Sequence, residues 1–346
     1  MRPTAYAQAI VVARAIKSRL LKSDVIREAA LAKDLGEALI ALRESLYPGI
    51  GEAKTLTQAL TSIWTGYFKT IEHLARVTPG EALDVVLAPL REEDLRDLLI
   101  IIYRAVAGKP VDEKLPSAFY DKTLTYNVLR DPELLASPQK ILEFTEGTWA
   151  YSYVEDSLKL ARELKGLPAL WSIPLIVVRL YHDSIEKLGL NDVRSLEKLL
   201  CPHLEYKILS SLTVAKQFDV PLKLIEIAVG DMSEVCGGSV EELKSIYERE
   251  ADAVSVANEL KGILRNIRIE GKSVNEILVN ALRSSRQVLK ARAITAMSGY
   301  PFNPAFLAAS VILLKIEVET LSYIVSSKEY RVSPADLLEL LGLEAM

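Results

Sequence analysis

Cysteine is almost absent: Cys201 and Cys236 are the two in 346 residues. Two thiols make no disulfide framework, and 35 residues apart they form no CxxC pair. Each reads as a small buried hydrophobe in a chain suited to a reducing compartment. Histidine is nearly as scarce. His73, His182 and His203 are scattered, with no second His, Cys or carboxylate read at metal-ligand spacing, so each is taken as a surface or hydrogen-bonded side chain. Asn and Gln together number only twelve. Long apolar runs are missing too. The most apolar stretches, 167–178 and 305–314, fall short of the roughly 20 residues a membrane span needs, and Pro168 and Pro174 break the first. The N-terminal stretch carries Arg14, Lys17 and Arg19 inside its apolar pattern, so it reads as an amphipathic helix and not a signal peptide. No excess of one charge exists: 42 basic against 46 acidic residues leave a net charge of −4, which argues against a general nucleic-acid binder.

What is present is helical periodicity, and it is clearest near the C-terminus. Asn303 is placed to cap a helix and Pro304 to occupy its first position. The spacing of Leu307, Val311, Leu314, Val318, Leu321 and Val325 predicts one buried face on a helix running to about Val332. Leu313, Ile316 and Ile324 widen that face beyond a coiled-coil seam, as in a core helix. Variants of this ending occur twice earlier. Arg104, Lys216 and Lys328 are spaced by 112 and 112 residues. Leu98, Leu209 and Leu321 are spaced by 111 and 112, and Pro110, Pro221 and Pro334 by 111 and 113. The chain is therefore expected to be all-α, built from three similar helical modules of about 110 residues over 1–112, 113–223 and 224–346.

Within module one, Tyr6, Ile10, Ala13, Ile16 and Leu20 predict a first helix. Asp34 with Glu37 predicts a capped second helix that stops at Tyr47-Pro48-Gly49, and residues 55–78 form a third. Pro79-Gly80 opens a fourth, with a separate terminal helix over Glu92–Ala107. Helix starts at Ser137 and at Ser239, the latter with Glu242 as its capping-box partner, are read as counterparts of the Asp34 start. No strand is required; Ile173–Val178 and Ile225–Val229 fit buried helix.

The search for chemistry excludes more than it finds. Gly49-Ile-Gly51 lacks the further glycine and preceding strand of a dinucleotide loop, and no GxxxxGK[ST] occurs. No DDxxD occurs. Asn191-Asp192-x-x-Ser195 begins a terpene-cyclase metal motif but has Leu199 where Glu is needed, so a loop entering a helix at Ser195 is the plainer reading. The acidic runs Arg91–Asp97 and Tyr247–Asp252 mix both signs, as solvated helix faces do. Glu317 and Glu319, inside the C-terminal helix, are expected to be exposed and paired with Lys315 or Tyr323 in preference to handling protons. No catalytic, cofactor-binding or metal residue is assigned.

The C-terminal block PFNPAFLAASVILLKIEVETLSYIVSSKEYRVSP resembles the closing segment of the C subunit of archaeal A-type ATP synthases, which is equivalent to the d subunit of the V-type enzymes. The opening YAQAIVVARAIKSRLLKSDVIREAALAKDLGEALIAL and the internal LRDLLIIIYRAVAGKP resemble that family's corresponding helices. The resemblance implies three similar helical domains set around a pseudo-threefold axis as a funnel. It also implies a non-catalytic rotor part without cofactor, peripheral on the cytoplasmic side of the membrane. Its partners would be the central-stalk subunits and the membrane proteolipid ring. The alternatives are a helical scaffold or adaptor outside any rotary machine, and a helical prenyl- or terpene-type enzyme, which the missing aspartate-rich motif opposes.

Overall fold

The computed structural model describes residues 3–111 and 114–341. The chain is all-α, as expected. In order it forms α1 (Pro3–Arg19), α2 (Ser23–Leu31), α3 (Leu35–Ala41), α4 (Leu56–Val77), α5 (Gly80–Val106), α6 (Leu124–Arg130), α7 (Pro132–Leu135), α8 (Pro138–Phe144) and α9 (Tyr151–Glu163). It continues with α10 (Ile173–Ile185), α11 (Leu190–Gln217), α12 (Leu222–Val229), α13 (Val240–Arg249), α14 (Ala253–Leu260), α15 (Val274–Ala296), α16 (Pro304–Glu329) and α17 (Pro334–Leu341). Among the described residues the strands are β1 (Glu234–Val235) and β2 (Gly238–Ser239), a two-residue antiparallel hairpin between α12 and α13.

The chain divides into two compact units, Met1–Leu90 with Lys290–Met346, and Arg91–Leu289. In the first, α16 is the central helix, with α1, α3 and α4 packed on it. Asn303 caps it, its side chain accepting from the Ala305 N–H at 2.7 Å, and Pro304 takes the first position. All six residues of the predicted face are fully buried. Every residue from Pro304 to Lys315 is buried as well, so the N-terminal half of α16 is enclosed on all sides. The helix closes at Glu329, three residues before the expected end. In the second unit, α11 holds the equivalent place, packed by α10, α14 and a 3-10 segment over Leu167–Ser172. Ile173–Val178 and Ile225–Val229 are helical, in α10 and α12.

Several local expectations change. The two helices expected over 80–107 are one continuous α5 that runs through Pro89. Proline forfeits one backbone bond, but Val85, Val86 and Ala88 before it and Leu95, Leu98 and Leu99 after it are buried, so packing holds the helix across the gap. The second helix stops at Ala41, short of Tyr47. Asn191 and Asp192 lie inside the first turn of α11, which starts at Leu190 and not at Ser195; the Ser195 hydroxyl donates to the Asn191 carbonyl. Ser239, the last residue of β2, makes no side-chain cap. The capped start that matches Asp34 is Asp252, which accepts from the N–H groups of Val254 and Ser255 at the head of α14.

The cysteines are also a correction: Cys201 of α11 and Cys236 of the hairpin are joined as a disulfide, with Cα atoms 5.5 Å apart. The bond closes a separation of 35 residues, for which loop-closure entropy gives about 4 kcal/mol. Cys201 is buried, as read, but a spacing of 35 carries no signature of a pair.

Candidate functional site

The three long helices α5, α11 and α16 end in the same way. Each is followed by a residue in the left-handed region: Gly108, Asp219 and Arg331, with φ of 64°, 49° and 54°. Each then sends an N–H back across six residues to a helix carbonyl: Lys109 to Arg104 at 2.9 Å, Val220 to Ala215 at 3.1 Å, and Val332 to Ser327 at 2.9 Å. That is the Schellman cap, and the prolines at 110, 221 and 334 follow it because they cannot continue a helix. The basic residue of the repeat uses its charge on backbone carbonyls in all three. Arg104 Nη1 donates to Pro110 at 3.1 Å. Lys216 Nζ donates to Tyr247 at 3.0 Å and sits 5.0 Å from that ring's centre. Lys328 Nζ donates to Ala30 at 2.6 Å and Ala32 at 2.7 Å, and its burial lowers its pKa.

Eleven residues before each basic residue stands a glutamate: Glu93, Glu205 and Glu317, spaced by 112 and 112. All three are buried, at 1%, 1% and 5% exposure. Glu317 accepts from the Leu21 N–H at 2.5 Å and the Tyr47 hydroxyl at 2.8 Å. Burial raises its pKa despite those bonds, and burial together with the Glu317 charge raises that of Tyr47. Gly66 of α4 lets Tyr47 reach this position, because a Cβ there would lie 2.8 Å from the tyrosine ring. Glu205 accepts from the Asn266 N–H at 2.7 Å and from its side-chain amide at 2.5 Å. Glu93 pairs with Arg96 at 2.7 Å.

Two of these glutamate-and-lysine pairs grip equivalent pieces of chain. On α16, Lys328 holds the end of α2, while Glu317 holds Tyr47, six residues beyond α3. On α11, Lys216 holds the end of α13, while Glu205 holds Asn266, six residues beyond α14. In each case a long helix fastens a short helix pair by its carbonyl end and by the loop beyond it. A charge-assisted hydrogen bond of this kind contributes about 1.5–3 kcal/mol.

The run Arg91–Asp97, expected to be a solvated face, is the most acidic part of the second unit's core. Glu92, Glu93, Asp94 and Asp97 are each 3% exposed or less. Every one has an assigned task. Glu92 takes the Tyr181 hydroxyl at 2.8 Å, His203 Nε2 at 3.2 Å and Lys207 Nζ at 2.7 Å. Asp94 accepts the N–H groups of Leu124 and Thr125 at 2.9 Å and so caps α6 from another helix; its burial nevertheless lifts its pKa from 3.8 to about 6. Asp97 accepts from the Ser117 N–H at 2.8 Å and from Arg96. For Arg96, burial works against the charge, but Glu93 and Asp97 outweigh it and hold the pKa above its ordinary value. These carboxylates face backbone N–H groups and cationic or hydroxyl side chains, the chemistry of fastening.

The sequence profile of the ATP synthase (C/AC39) subunit family matches residues 9–340. The chain belongs to that family. It is thus a subunit of a rotary A/V-type ATPase, as the resemblance of its two ends and middle implied. No curated protein matches the chain. Among the described residues no helix is long and apolar enough to cross a membrane.

Of the individually weighed residues, His203 is hydrogen-bonded to Glu92, as the plain reading had it, and His73 is exposed. His182 is likewise hydrogen-bonded, to Asp183 Oδ1 at 3.4 Å, and Asp183 and Glu186 beside it bring three possible ligand atoms within 4.8 Å of one another. Glu317 reverses its expectation of exposure, and Lys315 is buried too. The buried glutamates at 93, 205 and 317 were missed, although the same 112-residue interval that picked out Arg104, Lys216 and Lys328 would have found them.

Proposed function

We propose that this family member is the non-catalytic central-stalk piece of its rotary enzyme: a socket that joins the central stalk to the membrane proteolipid ring, on the cytoplasmic side, and carries torque between them. The proposal includes division into three modules, 1–112, 113–223 and 224–346, set about a pseudo-threefold axis as a funnel. The observation that carries it is the threefold recurrence of one device: a long helix with a buried Glu, a basic residue eleven positions on, and a Schellman cap before a proline. A part that passes torque must not yield. Close-packed helices locked by buried charge-assisted bonds meet that need, because such interiors have low compressibility and transmit strain.

Reconstitution tests the role. Enzyme assembled without this chain should hydrolyse ATP on its catalytic subunits while ion pumping collapses, and adding the purified chain should restore the coupling. Normal coupling in its absence would overturn the reading and favour a scaffold role within the complex.

A further inference from the structure

We propose that His182, Asp183 and Glu186 form a binding site for one divalent transition-metal ion of the Zn²⁺ type. The three lie at the C-terminal end of α10, where His182 and Glu186 are one turn apart on the same face. His182 Nδ1 stands 3.4 Å from Asp183 Oδ1 and 3.8 Å from Glu186 Oε2. Ligands on a tetrahedral ion at bond lengths of about 2.0–2.1 Å are separated by about 3.4 Å; both separations from His182 lie near that value, and all three ligand atoms lie within 4.8 Å of one another. The donor set of one imidazole and two carboxylates suits Zn²⁺, Co²⁺ or Ni²⁺ better than Ca²⁺ or Mg²⁺, which take oxygen ligands alone. Three protein ligands leave a fourth position for water.

The surroundings favour a cation independently of the ligands. The Tyr153 hydroxyl of α9 donates to Asp183 Oδ2 at 2.6 Å, turning the other carboxylate oxygen toward the imidazole as an outer-shell partner does. The negative end of the α10 dipole points at the same place. Two further acids stand near. Glu197 of α11 bears on His182, and Glu234 of β1 bears on Glu197, whose pKa burial and Glu234 together raise. The Cys201–Cys236 disulfide fastens the hairpin that carries Glu234 to α11, one turn beyond Glu197. Arg194, which is exposed, bears on Glu197, and Arg179, engaged by Asp156 at 2.8 Å and stacked on Tyr153, bears on Asp183. An ion here would join the end of α10 to the acids of α11 and β1. Protons compete with a metal for the imidazole as pH falls.

Titration of the chelator-stripped full chain with Zn²⁺ alone, by calorimetry at pH 7.5, tests the proposal. Both cysteines are in the disulfide, so thiols do not compete. One ion should bind per chain with a dissociation constant of about micromolar, and more weakly at pH 5.5. Co²⁺ should give the visible bands of tetrahedral coordination. His182→Ala and Glu186→Gln should each weaken binding roughly tenfold or more, and Tyr153→Phe about tenfold. His73→Ala should leave it unchanged. Glu186 is half exposed, so Glu186→Gln keeps the test intact if His182→Ala unfolds. Absence of binding up to about millimolar Zn²⁺, or binding unchanged in Glu186→Gln but lost in His73→Ala, would overturn the site.

Discussion

Replacing Glu317 by leucine removes the acceptor that two donors share, the part-buried Leu21 N–H and the buried Tyr47 hydroxyl. A donor left buried without an acceptor costs about 1–3 kcal/mol. Two would cost about 2–6 kcal/mol, less the relief of no longer burying a carboxylate whose pKa burial already raises. The net expectation is a loss of about 2–4 kcal/mol. Glu317→Gln should cost only about 1 kcal/mol, because the amide oxygen can accept from Leu21 while its NH₂ donates to the Tyr47 oxygen. Urea unfolding followed by circular dichroism gives the stability, and hydrogen exchange at the Leu21 amide reports the bond itself. The amide should lose protection in Glu317→Leu and keep it in Glu317→Gln. Tyr47→Phe combined with Glu317→Leu should destabilise by less than the two changes summed, with a coupling of about 0.5–3 kcal/mol. An unchanged midpoint with a still-protected Leu21 amide, or strict additivity with Tyr47→Phe, would refute the fastening role argued for Glu317.

Two more expectations rest on burial. Asp94 keeps its proton to about pH 6 in the folded chain and to about pH 4 when unfolded, so between those values the native state binds more protons. Stability therefore falls as pH rises through that window, by about 3 kcal/mol for this one group. Asp94→Asn should flatten the unfolding midpoint between pH 4 and 6; the same slope as wild type would show the assignment wrong. Leu321 is fully buried in α16, and Leu321→Asp should cost about 3–5 kcal/mol by placing an unpaired charge there; an unshifted melting temperature would mean that the buried face is misplaced.

How much was legible depended on whether the signal was periodic or pairwise. The face of α16 was readable because a helix buries residues at steps of three and four, and the six residues that obeyed that rule are all at zero exposure. Helix ends set by local chemistry, Asn303-Pro304 and Asp34 with Glu37, were readable for the same reason: donor and acceptor lie within three residues. Pro89 misled because its local penalty was outweighed by contacts made from distant parts of the chain. Glu317 and the Arg91–Asp97 run misled for a related reason. Composition says that an acid is usually solvated, and only the fold reveals Leu21 waiting 296 residues away or the heads of α6 and the 3-10 turn at Ser117 awaiting an acceptor. Yet the interval of 112 residues lies in the sequence. Chance can space three leucines or three prolines, but a carboxylate and a cation held eleven residues apart in three copies is a chemical pattern. Its two sides are separate requirements. In two copies the carboxylate meets a backbone N–H, that of Leu21 or Asn266, while Glu93 meets Arg96; the cation meets a backbone carbonyl in all three. Neither can be swapped for the other without leaving backbone groups unpaired. That reciprocal demand explains why both signs recur at one interval.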